Sequence, residues 1–282
     1  MSRRSTTEPV ARTPRMPYMD QFLSELTHDD EETQALFGRH IHWGYWADPD
    51  RADGSYQDYA RAAEAMSRLV CDAAKVRDGM RVLDCGCGVG GTIAALNERF
   101  SGMHLVGLNI DARQLEIARH KVRAAAGNHV EFVEADACAL PFEMDSFDAV
   151  LAVECIFHFK SRRRFLREVH RVLERGGRLG VSDVVPQTAA LPILAPLNWS
   201  LPFWGERNPV LQTLATYRAL ARRCGFRLSY SEDVTRNTLP AYAVINSYLA
   251  GVSPEFERQG RLVGRVTRLG FLRYKILSFE SR

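Results

Sequence analysis

The chain has 282 residues, a net charge of +3, 46% hydrophobic and 25% charged residues. This is the make-up of a soluble globular protein, and it excludes a wholly disordered chain, a collagen or a coiled-coil array. No apolar run approaches the roughly 20 residues of a spanning helix, and the most apolar stretch, residues 189–204, is broken by Pro192, Pro196 and Pro202.

The first 15 residues hold Arg3, Arg4, Arg12 and Arg15 against Glu8 alone. The rest of the chain is neutral on balance, which argues against a nucleic-acid partner. This leader lacks an apolar signal core and reads as a disordered tail, with an organelle transit peptide as the alternative. Residues 16–78 read as a helical N-terminal region. It contains an aromatic knot, His42-Trp43-Gly44-Tyr45-Trp46, and a turn-rich stretch over 48–54. Tyr59, Ala62, Ala63, Met66, Leu69 and Val70 then recur near a 3.6-residue period, which predicts a helix over 56–75.

From residue 79 the pattern alternates strand and helix. Strands are expected at 82–85, 104–110, 130–135, 147–153 and 178–185. The intervening helices fall at 89–100, 112–125 and 161–173, with a turn at Arg175-Gly176-Gly177. The fourth strand is nearly all apolar, as a strand buried on both faces should be. This rhythm predicts a parallel sheet with right-handed crossovers. Residues 186–209 break it with five prolines and the aromatics Trp199, Phe203 and Trp204. A helix is expected over 210–224 and a strand over 227–234. Mixed helix and loop follow over 239–260, and a last strand over 272–280. Cysteines 71, 85, 87, 138, 155 and 224 lack the paired spacing of a zinc site, so no metal is expected, and reduced thiols fit a cytoplasmic protein.

The most informative segment runs from Val82 to Thr92, with Gly86, Gly88, Gly90 and Gly91 following the first strand. Glycines let the backbone turn and let a ligand lie against it, and dinucleotide enzymes use a related pattern. Asp84 discriminates. A carboxylate repels a pyrophosphate and attracts an ammonium group, so the loop suits a nucleoside that carries an amino acid.

With these residues the sequence resembles the class I S-adenosylmethionine (SAM) methyltransferases of small molecules, over about residues 42–185. The resemblance implies a Rossmann-like α/β fold: a seven-stranded, mostly parallel sheet with an N-terminal helical lid and a substrate cap inserted at about 186–209 and 236–265. It implies SAM as cofactor, held by Asp84, Gly86, Cys87 and Gly88 and by Asn109, Ile110 and Gln114 after the second strand. Asp136 and Ala137 would lie at the adenine, Val153 near the sulfonium, and Tyr45 over it from the lid. Asn109 stands where the family usually has an acid. Asp136 and Asn109 also read as helix or turn caps, and Cys85 and Cys87 as small buried fillers.

Val153-Glu154-Cys155-Ile156-Phe157-His158 resembles the Glu-x-x-His-His stretch of O-methyltransferases acting on sugars and polyketides, with Phe157 in place of the first histidine. This makes His158 the candidate general base, with Glu154 and Asp183 as further catalytic candidates. The alternatives are a helix-capping histidine and a solvated strand end at Asp183. Glu154 also resembles the base of prenyl-diphosphate C-methyltransferases. Phe157, Trp199, Phe203 and Trp204 suggest an apolar acceptor site; a hydrophobic plug under the lid is the plainer reading. The expected activity is methylation of a small secondary metabolite, on a hydroxyl first and on an alkene second. A SAM-binding protein without methyl transfer remains a third reading, and a homodimer is left open. A nicotinamide-dependent dehydrogenase is disfavoured by Asp84.

Overall fold

The computed structural model describes residues 20, 22–24, 26, 31–125, 127–197 and 212–282. Helices α1 (Glu31–Phe37) and α2 (Tyr56–Ala73) precede β1 (Arg81–Cys85), α3 (Gly91–Arg99), β2 (His104–Asn109), α4 (Ala112–Lys121), β3 (His129–Glu134) and β4 (Phe147–Val153). Then come α5 (Arg162–Val172), β5 (Leu173–Pro186), α6 (Leu191–Leu197), α7 (Leu214–Arg223) and β6 (Phe226–Asp233). The short α8 (Thr235–Thr238), α9 (Ala241–Val252), α10 (Pro254–Arg268) and β7 (Leu272–Ser281) complete the chain.

The seven strands form one sheet in the order β3-β2-β1-β4-β5-β7-β6. The first five are parallel, and β7 runs antiparallel between β5 and β6. Successive strand residues face opposite layers. Val82, Leu105 and Leu151 face a core built with Met66 and Val70 of α2, and with Ile93 and Leu96 of α3. Leu83, Val106 and Val150 face the other, built with Phe165, Leu166 and Val169 of α5 and Tyr217 of α7. Capping fixes where the helices start. Ser55 accepts from the Asp58 amide at 3.1 Å, and Ser161 from the Arg164 amide at 3.2 Å.

A third cluster joins the lid to α9, with Phe22, Phe37, Trp46 and Tyr59 against Val244, Ile245 and Leu249. The N-terminal region therefore packs on α9 as well as on the sheet domain. No helix among the described residues is long and apolar enough to cross a membrane.

Three elements differ from their sequence expectation. Helix α4 stops at Lys121 instead of Ala125, because Asn97 captures the following backbone. Its Nδ2 donates to the Arg123 carbonyl at 2.8 Å and its Oδ1 accepts from the Ala125 amide at 3.0 Å. The Arg175–Gly177 turn is a bulge within one long β5: Leu173 pairs with Phe147, and pairing resumes at Arg178 and Ala149. Residues 239–260 are mostly helical, in α9 and α10. Of the first cap insertion only residues 186–197 are described; Trp199, Phe203 and Trp204 lie outside the described residues.

Candidate active site

A cavity of about 270 Å³ opens at the carboxyl ends of β1, β2 and β4, the edge where doubly wound sheets bind their ligands. Asp84, one residue before the end of β1, is 1% exposed, and its Oδ2 has no hydrogen-bond partner among the described residues. Burial pushes its carboxyl up to about 7. A buried, orphaned carboxylate is costly unless a cation arrives. A ligand ammonium supplies one.

Gly88 lies beside it at φ +56°, where a Cβ would meet nothing nearer than Ile41 Cδ1 at 3.8 Å and Gln114 Oε1 at 3.9 Å. That space belongs to the cavity. Gly88→Val would fill it and would hold a β-branched residue in the left-handed region, at a cost of about 1–2 kcal/mol or more. Thermal unfolding should register that loss, while calorimetry should register loss of the ligand. A variant that binds as wild type would show that the loop does not cradle it.

Asn109 and Gln114 line the wall after β2, with Asn109 Nδ2 donating to Gln114 Oε1 at 3.1 Å. Asp136 lines it after β3. One of its oxygens accepts from the Cys138 amide at 2.8 Å and the other pairs with Lys160 at 3.1 Å. Gly86, Cys87, Ile110, Ala137, Val153 and Phe157 lie on the same wall.

Glu154 and His158 line the cavity where β4 ends. Glu154 has φ +51°, a left-handed conformation uncommon outside glycine. Its amide bonds the Ser182 carbonyl and hydroxyl, both at 3.1 Å. Its Oε2 accepts from the Trp43 amide of the lid at 2.6 Å. Burial raises this carboxyl well above the usual range, and the nearby Asp183 charge adds to the effect. Burial thus disfavours the ionised form of Glu154, whose carboxyl is tied to the Trp43 backbone. Burial acts oppositely on His158, lowering it to about 4, so its imidazole is neutral.

Two expected site residues lie elsewhere. Asp183 does not reach the cavity mouth. It is fully buried on β5, accepting from Arg162 Nη1 at 2.6 Å and from the Val184 amide at 2.9 Å. The strand's alternation turns it toward α5, where Arg162 lies over the Tyr217 ring. Tyr45 also misses the cavity. The lid leaves it after Trp43, because Gly44 packs so tightly on α2 that a Cβ would come within 2.6 Å of Ala62. The Tyr45 amide then bonds the Ala62 carbonyl at 2.8 Å.

Sequence reasoning missed His40 and His42, which also line the cavity. His40 Nε2 contacts Glu64 at 2.8 Å, and His42 Nε2 contacts the Ser67 hydroxyl at 3.0 Å. That hydroxyl reaches Thr92 at 3.2 Å. The network ties the lid to α2 and to the helix that follows the glycine loop. Burial holds His42 neutral, at about 3, and lowers His40. The legible signal was the two-residue spacing of His40 and His42, which puts both on one side of an extended segment. The outer wall, also unforeseen, comprises Phe22, Phe37, Tyr59, Ile245, Tyr248 and Leu249.

A methyltransferase-domain model matches residues 83–181. The methyltransferase GfsG of Streptomyces halstedii is 35% identical over 212 residues, covering 75% of this chain and 74% of that protein. The chain belongs to the SAM-dependent methyltransferase family. A 27-O-demethylrifamycin SV methyltransferase of Amycolatopsis mediterranei is 32% identical over 213 residues, covering 73% of this chain and 74% of the relative. Among solved structures, the [4+2]-cyclase SpnF superposes with a TM-score of 0.75 over 97% of this chain and 98% of that one, at 23% identity, a likeness of fold.

The methyltransferase uses SAM, and the wall fits it. Asp84 offers the missing partner for an ammonium group, and Gly88 leaves its backbone open. At pH 6 Asp84 is mostly protonated in the free protein, because burial sets it near 7. An ammonium favours its carboxylate, so SAM binding should release close to one proton at pH 6 and far less at pH 7.5, an interval that stays below the titration of the ligand's own α-amino group at about 8. Apparent affinity should rise over that interval. Calorimetry in buffers of different ionisation enthalpy measures the proton count; equal release at both values would remove Asp84 from the cofactor site.

Proposed function

We infer that this methyltransferase acts on a hydroxyl group of a neutral, largely apolar small molecule, with His158 taking the hydroxyl proton. The observation that carries the reading is the contrast at the end of β4. His158 is a neutral imidazole on the cavity wall, whereas the Glu154 carboxyl is buried, shifted upward by that burial, and bonded to the Trp43 amide. A base for a carbocation intermediate must be an ionised carboxylate, a form that burial disfavours at Glu154. The relative named for an oxygen acceptor, the demethylrifamycin methyltransferase, supports the same direction.

The wall supports a neutral acceptor. Its cationic side chains among the described residues are Arg39 and Lys160. Arg39 pairs with Glu64 and Glu98, and Lys160 with Asp136. Neither is left over for a diphosphate. Phe22, Phe37, Tyr59, Ile245, Tyr248 and Leu249 offer instead a broad apolar and aromatic face.

Bound SAM supplies an electrophilic methyl group on a sulfonium that leaves as a thioether. The chain's own contribution is alignment, exclusion of water and proton removal. Asp84 holds the ammonium end, and Asn109, Gln114 and Asp136 the polar edges of the nucleoside. The Trp43–Glu154 bond and the His40–Ser67–His42 network hold the lid down. Alignment of this kind is worth up to about 7–11 kcal/mol.

Glu154→Gln separates hydroxyl from alkene chemistry. Glutamine still accepts the Trp43 amide, so with a hydroxyl acceptor kcat should stay within about tenfold of wild type. Loss by a factor of about 10² or more, with SAM affinity retained, would instead assign proton removal to Glu154 and support C-methylation.

A further inference from the structure

We propose that His104, His129 and Glu131 form a second site, for one divalent late first-row transition ion such as Zn²⁺. His104 opens β2 and His129 opens β3, and the parallel register makes them direct partners. Both backbones are pinned: the His104 amide bonds the Met80 carbonyl at 3.0 Å, and the His129 amide bonds the Met103 carbonyl at 2.7 Å. The two rings lie 4.8 Å apart between centroids. Glu131 follows His129 by two residues, so both project from one face of β3. One ligating atom from each side chain lies within 4.8 Å of the other two.

A tetrahedral ion with bonds of about 2.0–2.1 Å needs donors about 3.3 Å apart. Side-chain rotation of roughly 1–2 Å supplies that, with no change in the pinned strands. Among the described residues none of the three side chains has another hydrogen bond or ion pair, so binding breaks nothing. Two imidazoles and one carboxylate suit Zn²⁺, Ni²⁺ or Cu²⁺ better than Mg²⁺ or Ca²⁺, and leave a fourth position for water. The cysteine spacing gave no hint of such a site, because its histidines stand 25 positions apart and only strand pairing unites them.

The site lies at the amino ends of β2 and β3, about 16 Å along the strand from Asn109 at the cofactor end. An ion there clasps the edge strand β3 to β2 and takes no part in methyl transfer.

Titration of the tag-free protein with Zn²⁺ and Co²⁺ tests this. One ion per chain is expected, with Co²⁺ showing tetrahedral d–d bands and no thiolate charge-transfer band. His104→Ala and His129→Ala should each weaken binding at least about tenfold, since even outer-shell changes cost 10- to 100-fold at metal sites. Zn²⁺ should raise the Tm of wild type but not of the double variant, with cofactor binding unchanged as the folding control. Equal affinity in wild type and the double variant, or a thiolate band, would overturn the site.

Discussion

His158→Ala is expected to lower kcat by about 10²- to 10⁴-fold while leaving SAM affinity almost unchanged. The reason is chemical. A hydroxyl must lose its proton as the carbon–oxygen bond forms, and His158 is the neutral imidazole that lines the cavity beside the end of β4. Its folded-state value, about 4, lies below that of an unfolded histidine. Protonation as pH falls through 4 would silence it, so His158 itself should impose no loss of rate between pH 8 and pH 6. Steady-state kinetics together with cofactor titration separate the two effects. A variant with kcat within tenfold of wild type would leave alignment alone to carry the reaction.

Asp84→Asn should weaken SAM binding by about 10²- to 10³-fold. Removing one partner of a buried charge pair costs about 3–5 kcal/mol, because the other charge is left uncompensated. The free protein should respond in the opposite sense. The Asp84 carboxyl is raised in the fold to about 7. A raised acid contributes its stability below the unfolded value and loses it as pH rises through the folded one. At pH 8 the ionised, unpartnered carboxylate therefore burdens the free wild type, and asparagine relieves it. Denaturant unfolding should find the variant at least as stable as wild type at pH 8. A large drop in stability, with cofactor affinity intact, would make Asp84 a structural group.

The sheet was legible because its central strands β1, β2 and β4 are buried on both faces and glycines punctuate the chain around them. Asp84 could be singled out in the sequence because one carboxylate before a glycine loop has a definite electrostatic meaning, and the fold places it on the cavity wall. Asp183 was misread for a reason of register. A strand end faces either the cavity or a helix layer, and only the pairing of β5 with its neighbours turns Asp183 onto Arg162. Tyr45 was misread because the chain turns away at Gly44, whose contact with Ala62 is tertiary. The outer wall escaped notice because Phe22 and Phe37 meet Ile245 and Leu249 across more than 200 positions of sequence. Periodicity says that such residues are buried, but not against what.

The tethered lid gives Glu154 a role that its sequence context did not reveal. In the family resemblance it stood as a base. In the fold its left-handed backbone aims the carboxyl at the Trp43 amide. Such backbone conformations persist where the surroundings over-determine them, at sites whose geometry matters. Here the lid and strand β4 are fixed to each other at the place where water must be excluded.

The most direct test of the hydroxyl reading is the product itself. The protein is incubated with SAM carrying a ¹³C-labelled methyl group and a panel of neutral, apolar, hydroxylated small molecules, and the label's carbon resonance is read in the product. An O-methyl resonance, strongly diminished by His158→Ala and nearly preserved by Glu154→Gln, is the predicted result. A C-methyl resonance that disappears with Glu154→Gln and survives His158→Ala would contradict it.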